Sequence, residues 1–132
     1  MMRFLLKLLL LVSTPLWAAS HHPQDFLNEV KGRPDEGRQI ADHYCANCHA
    51  VKAVIELGAP KIGEAKDWEP RLKAGLELLF QRADTGVNAM PARGGCFECS
   101  DKQLKLAILA LLPEDTLKDQ KLIKKFLEKT NS

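Results

Sequence analysis

CANCH, at residues 45–49, places two cysteines two positions apart and a histidine directly after the second. Two thiols at this spacing reach the two vinyl groups on one edge of a porphyrin, and the next residue then lies under the iron. The two thioether bonds make that geometry permanent. The stretch therefore predicts one covalently attached haem c, held by Cys45 and Cys48, with His49 as the proximal ligand of the iron.

A second cysteine pair, Cys96 and Cys99, is followed by Ser100 and is therefore not a second haem site. Four thiolates would suit zinc. However, 47 residues separate Cys48 from Cys96, whereas about 15–20 separate the two pairs of a zinc site. Zinc would also leave the histidine of the first motif unexplained. A redox-active dithiol at residues 45–48 is a third interpretation, and the haem interpretation is favoured over both.

The start of the chain has the features of a secretory signal. Arg3 and Lys7 precede an apolar run at 8–12, and small residues at 18–20 offer cleavage sites. The alternative is an uncleaved anchor, but this run is short of the roughly 20 apolar residues that span a bilayer. We expect residues 1–19 to be removed and the mature chain to be exported.

Export and charge together limit the partners. Cleavage leaves 17 basic and 17 acidic residues, a formal charge of zero, so the composition does not indicate nucleic-acid binding.

In an exported protein a local disulfide is the natural state of Cys96 and Cys99, with an oxidoreductase role as the alternative.

Apolar spacing predicts a single all-α domain at 34–112, preceded by a loose segment at 20–33 and followed by an amphipathic tail at 113–132. The first expected helix runs from Pro34 into Cys45, and a short helical turn follows at 51–57. One helix is expected from Asp67 to Gly86, with Pro70 in its first turn. The next helix begins with the capping box of Ser100 and Gln103 and ends at Pro113, and a final helix covers 115–129.

A second axial ligand is expected from a loop between two of these helices. Met90 is the one methionine left after cleavage and lies 41 residues after His49. Its thioether would favour Fe(II) and raise the potential. A lone methionine is more often core filler, and His21, His22 and His43 are competing ligands. The loop position favours Met90 as the second metal ligand.

Other residues are expected to support the haem. The carbonyl of Pro60, in a loop soon after the motif, can hold the second nitrogen of the proximal imidazole. Trp68, Arg71 and Arg93 are candidates to bind the haem propionates, with packing and a solvated surface as their alternative roles.

Beyond the attachment motif, MPARGGC at 90–96, CSD at 99–101 and GAPKIG at 58–63 resemble bacterial cytochrome c5, and the likeness covers roughly residues 35–112. The resemblance implies the class I cytochrome c fold of three to five helices around one haem, with His49/Met90 ligation and a Cys96–Cys99 disulfide. It also implies a periplasmic single-electron carrier, not an enzyme, that serves a respiratory chain through redox partners such as membrane oxidases or reductases. A monomer or weak dimer is expected.

The sequence departs from this family at one helix contact. Class I cytochromes usually place an aromatic residue four positions after a glycine of the first helix, where it packs on the last helix. Here Gly37 is followed by Ala41, and the nearest aromatic is Tyr44. A haem-based ligand-binding protein or enzyme, and a haem subunit of a larger redox complex, stay open as alternative functions.

The tail extends past the usual end of such a domain. Residues 117–129 hold five lysines and two acids, a formal charge of +3. We expect an extra helix packed on the domain. The alternative is a basic dock for an acidic partner, or a peripheral contact with anionic lipid.

Overall fold

The computed structural model describes residues 22–129, so the predicted leader at 1–19 lies outside the described residues. Within that range the only β-type pairing is an isolated bridge between Val87 and Met90, and the prediction of an all-α fold is confirmed. The α-helices in chain order are α1 (Pro23–Val30), α2 (Glu36–Ile40), α3 (Ala46–His49), α4 (Ala65–Leu72), α5 (Leu76–Thr85), α6 (Asp101–Leu111) and α7 (Gln120–Glu128).

The attachment motif lies at the end of a continuous helical segment. A π-helical turn, Ala41–Cys45, joins α2 to α3 without a break. Turns of this kind are rare and often occur at functional sites. α2 crosses α6 closely at Gly37, where a Cβ atom would overlap the backbone carbonyl of Leu106. This crossing fixes the direction in which the motif leaves α2.

The helix α6 is the centre of the fold. The predicted capping box is confirmed: the Gln103 amide donates to Oγ of Ser100 at 3.2 Å, and the Ser100 amide donates to Oε1 of Gln103 at 3.0 Å. The helix ends at Leu111, before Pro113, as expected. Its buried apolar side chains include Leu104, Ala107, Ile108 and Leu111.

The prediction of a loose segment at 20–33 is wrong for residues 23–30, which form α1. Pro23 occupies the start of this helix, where its missing N–H costs nothing. Leu27 and Val30 are three positions apart, face the same side and are buried in the core. Nε2 of Gln103 also donates to the carbonyl of Leu27 at 3.2 Å, so α1 is attached to α6.

The long helix predicted from Asp67 to Gly86 is two helices, because Gly75 adopts a φ of 87° between α4 and α5. Pro70 lies inside α4 and not in a first turn. The Asp67 carboxylate accepts the Lys61 amide at 2.9 Å and does not cap a helix.

Two further boundaries differ from the prediction. Residues 51–57 contain bends and turns and no helical segment. In the tail, a 3₁₀ turn (Glu114–Lys118) precedes α7, and Asp119 caps α7 by accepting the Leu122 amide at 3.0 Å. The cap explains why the helix begins later than its amphipathic pattern suggests.

The tail packs on α6 through Phe126, which is only 2% exposed. Lys105 on α6 is buried beside it, and its ammonium donates to the carbonyls of Phe126, at 2.9 Å, and Lys129. The ammonium also lies over the rings of Phe80 and Phe126, at 4.9 and 5.0 Å. Between residues 22 and 129, no helix has the length and apolar character needed to cross a bilayer.

Candidate haem site

His49 lies at the end of α3 and is buried. Its Nδ1–H donates to the carbonyl of Pro60 at 2.8 Å, the contact expected for a proximal ligand. This bond fixes the tautomer that leaves the lone pair of Nε2 available to a metal. Burial lowers the pKa of the imidazole, and the positive charges of Lys61 and Arg71 lower it further against the opposing effect of the Pro60 bond. The neutral, ligating form is therefore favoured.

The loop after the motif is held against His49 by several hydrogen bonds. The Ile62 amide donates to the His49 carbonyl at 2.8 Å, and Nζ of Lys61 donates to the Cys48 carbonyl at 3.3 Å. Trp68 stacks on the imidazole, with ring centroids 6.2 Å apart and planes 20° apart. Its indole N–H donates to the Lys61 carbonyl at 2.8 Å. Trp68 thus packs on the proximal side, with its one donor already paired.

Cys45 and Cys48 form no disulfide, whereas Cys96 and Cys99 are joined in one, with Cα atoms 5.4 Å apart. Because Cys96 and Cys99 are joined, only two thiols remain for a metal, too few for a four-thiolate zinc site. Burial raises the pKa of the Cys45 thiol to about 11, with smaller effects from Cys48 and Asp42. A redox-active dithiol needs the opposite shift.

The loop between α5 and α6 brings Met90 to the attachment thiol. Val87 and Met90 exchange backbone hydrogen bonds of 3.1 and 2.9 Å, which closes the loop. Gly86, with a φ of 82°, begins it, and a Cβ there would lie 2.7 Å from the Met90 carbonyl oxygen. A Cβ on Gly94 would lie 3.7 Å from Cε of Met90 and 3.9 Å from Sγ of Cys45. The thioether is therefore close to the attachment motif.

The competing histidine on the same helix is engaged elsewhere. The His43 ring stacks on Phe26 of α1, with ring centroids 4.4 Å apart. Tyr44 packs edge-on against His43 at 4.7 Å, while Ala41 is fully buried four residues after Gly37. Phe26 and Tyr44 thus supply aromatic packing beside this helix, and His21 lies outside the described residues.

The charged candidates make protein contacts. Arg71 donates to the carbonyl of Asp67, and Arg93 pairs with Asp84, Asp101 and the carbonyl of Cys99. Two buried polar atoms lack a hydrogen-bond partner among the described residues: the hydroxyl of Tyr44 and Nε of Arg93. Both lie in segments that flank the motif and the methionine loop.

Neither the backbone contacts of residues 61 and 62 nor the burial of Lys105 was predicted from the sequence. The first depend on how the loop folds back, and no local pattern encodes that. The second had a signal, because Lys105 interrupts the apolar run LKLAIL at 104–109.

These residues fit one haem. Cys45 and Cys48 precede an imidazole whose Nε2 lone pair is available, and Cε of Met90 and Sγ of Cys45 both lie close to Gly94. Cys45 and Cys48 would form the thioether bonds, and His49 and Met90 would supply the axial ligands. A helical fold with such a site defines the c-type cytochromes.

Comparison with known proteins agrees. Residues 32–109 match the family model described as cytochrome c oxidase, cbb3-type, subunit III. The chain is 39% identical over 79 residues to cytochrome c5 of Azotobacter vinelandii, covering 58% of this chain and 92% of that protein. It is 41% identical over 75 residues to cytochrome c5 of Ectopseudomonas mendocina, covering 54% and 86%. Cytochrome c-555 of Prosthecochloris aestuarii is 34% identical over 86 residues, covering 59% and 84%.

The chain belongs to the cytochrome c family, as a class I c-type cytochrome similar to cytochrome c5. It is a haem c electron carrier with one covalent haem and its iron, and it is not an enzyme.

Proposed function

We propose that this protein is a periplasmic single-electron carrier of a bacterial respiratory chain, with its iron ligated by His49 and Met90. The observation that carries the proposal is the arrangement of these two side chains. One is an imidazole oriented by the Pro60 carbonyl at 2.8 Å. The other is the thioether of Met90, whose Cε lies beside Gly94, as does Sγ of Cys45.

The haem supplies a one-electron Fe(III)/Fe(II) couple when bound. The side chains around the haem would set the reduction potential of that couple. His49, oriented through its bonded Nδ1, and Met90 would hold the iron, and the thioether would favour Fe(II). With both of these side chains on the iron, no position would be left there for a substrate, and the protein would bind partners and pass electrons.

The cellular location rests on the leader-like residues 1–19 and on the disulfide, which persists in oxidising compartments. Partners are expected among membrane oxidases and reductases. Fractionation of cells expressing the full chain tests this, since the haem-bearing protein should appear in the periplasmic extract. Recovery in the cytoplasmic fraction would contradict the location.

Ligation is tested with Met90→Ala. The variant should lose the red charge-transfer absorption that ferric haem shows with a thioether ligand, lower its midpoint potential and bind carbon monoxide much faster. Replacement of the exposed Val87 by alanine is a control from the same loop and should change none of these. An unchanged potential and carbon monoxide rate in Met90→Ala would mean that another residue holds the iron. Rapid carbon monoxide binding by the unmodified protein would instead favour a small-ligand sensor.

A second candidate function is a haem subunit of a larger redox complex. The family model matched by residues 32–109 carries the description of an oxidase subunit, which favours this candidate. Gel filtration of gently prepared native extract separates the two. A free carrier elutes near the mass of the mature chain, and a subunit elutes with a complex.

A further inference from the structure

Arg93 connects both ends of the loop that carries Met90. Its Nη1 pairs with Asp84 in the last turn of α5. Its Nη2 donates to the Cys99 carbonyl at 2.6 Å and to Asp101, the first residue of α6, at 3.2 Å. The side chain is only 17% exposed, so these charged contacts are partly shielded from water and salt.

The backbone at Arg93 is unusual as well. Its φ is 56°, a left-handed conformation that residues other than glycine seldom adopt, and Gly94 follows with a φ of 60°. This double turn brings residue 94 to the tip of the Met90 side chain and to the Cys45 thiol. The guanidinium contacts hold the turn in a conformation that the backbone alone disfavours.

The position of the turn argues against the propionate role predicted from sequence. The vinyl groups and the propionates of a haem lie on opposite edges of the porphyrin. Because Gly94 lies beside Cys45, the turn belongs to the thioether edge. Both terminal nitrogens of Arg93 are already paired with protein oxygens, and only the buried Nε has no partner among residues 22–129.

We propose that Arg93 is a positioning residue for Met90: by joining α5, the disulfide and α6, it holds the thioether in place as the axial ligand. This inference rests on the proposed ligation by Met90. A planar fork suits the role, since the guanidinium places its two terminal nitrogens on separate partners, and the compact ammonium of a lysine does not span the same positions.

The experiment compares Arg93→Gln, Arg93→Lys and the matched control Arg82→Gln in the ferric holoprotein. Arg82 is exposed on α5, so its replacement makes the same chemical change and the same loss of charge without touching the loop. Two quantities are measured: the red thioether charge-transfer absorption, and the affinity for added imidazole, which competes with Met90 for the iron.

Arg93→Gln should weaken the absorption and raise the imidazole affinity about tenfold or more, as the loss of hydrogen bonds from a charged group implies. Arg93→Lys should fall between this variant and the unmodified protein, and Arg82→Gln should match the latter. If Arg93→Gln does not fold, Asp84→Asn and Asp101→Asn each remove one partner and should each raise the imidazole affinity by a smaller factor.

Imidazole affinity that is unchanged in Arg93→Gln, or in both aspartate variants, would overturn the inference. Unchanged affinity combined with an altered pH dependence of the potential would assign Nε of Arg93 to a propionate instead. Met90→Ala separates this failure from failure of the ligation itself: if that variant keeps the thioether absorption, both proposals fall, and if it loses the absorption, the Arg93 variants decide the inference alone.

Discussion

At the scale of single residues, the proximal side is held by hydrogen bonds to two adjacent residues of one loop. The carbonyl of Lys61 accepts a hydrogen bond from the indole N–H of Trp68, and its amide donates to the carboxylate of Asp67. The carbonyl of Pro60, the preceding residue, accepts a hydrogen bond from Nδ1 of His49. The orientation of the imidazole is therefore maintained by a short loop and one buried indole.

Replacing Trp68 by phenylalanine tests this arrangement. The change leaves the Lys61 carbonyl without its donor, so the free energy of unfolding in urea should fall by about 1–3 kcal/mol. The exposed Phe97, replaced by leucine, is the control and should change it by less than about 0.5 kcal/mol. Equal stability of Trp68→Phe and the unmodified holoprotein would show that the indole contributes packing only.

At the scale of elements, the crossing of α2 and α6 decides where the haem motif lies. Helices pack at a distance set by the side chains at their contact. At Gly37 that distance is so short that a single methyl group meets the backbone of Leu106. Ala41, on the next turn, is small and fully buried. Gly37 in α2 and Ala41 in the π-helical turn that follows are thus small where the chain passes α6.

Gly37→Ala should therefore force the two helices apart. Overpacking of this kind costs about 1–3 kcal/mol, and the melting temperature of the holoprotein should fall accordingly. Arg38→Ala, at the neighbouring exposed position of α2, removes only a surface ion pair with Asp42 and should cost less than about 1 kcal/mol. A Gly37→Ala protein as stable as Arg38→Ala would mean that α2 can shift without penalty.

The tail is held to α6 by a buried cation at the end of a helix dipole. The ammonium of Lys105 meets carbonyls of the last turn of α7 and of the residue that follows it, where positive charge is favoured. The two phenylalanine rings beside it, Phe80 and Phe126, add cation–π attraction. These contacts support a structural role for α7.

Lys105→Met should reduce the unfolding free energy by about 1–3 kcal/mol, since it leaves acceptors of α7 unpaired. Lys102→Met, on an exposed position of α6, is the matched control and should have little effect. In a chain ending at Leu112, Lys105→Met should add almost nothing, because its partners are absent. The same loss in the truncated chain would show that Lys105 acts independently of the tail.

Truncation also tests the alternative role of the tail as a dock. If residues 113–132 bind a partner or lipid through their lysines, the truncated protein should keep its melting temperature while its oxidation by membranes slows, most clearly at low ionic strength. If they are structural, melting temperature falls and the salt dependence of oxidation stays weak.

At the scale of the whole molecule, covalent attachment should make haem and chain inseparable. Protein expressed with its leader should keep haem colour on a denaturing gel, and its mass should exceed the cleaved chain by one haem. A Cys45→Ser/Cys48→Ser double variant is the control and should lose both properties. Haem that is extracted from the unmodified protein by acid and organic solvent would contradict covalent attachment.

Much of this protein follows from the sequence alone, where the relevant chemistry is local. The spacing of Cys45, Cys48 and His49 predicts haem attachment because the attachment pattern is contained in one short stretch of the chain. The capping box at Ser100 and the all-helical class follow from short-range hydrogen bonding and apolar period, which the chain carries with it.

Tertiary structure decided what depends on partners distant in the chain. Leu27 and Val30 order α1 only because the folded core buries them and Gln103 of α6 donates to the Leu27 carbonyl. Arg93, exposed or haem-bound by sequence reasoning, pairs with Asp84 and Asp101 because the loop returns between two helices. A charged side chain has many possible partners, and packing of the elements selects among them, so no local pattern determines the choice.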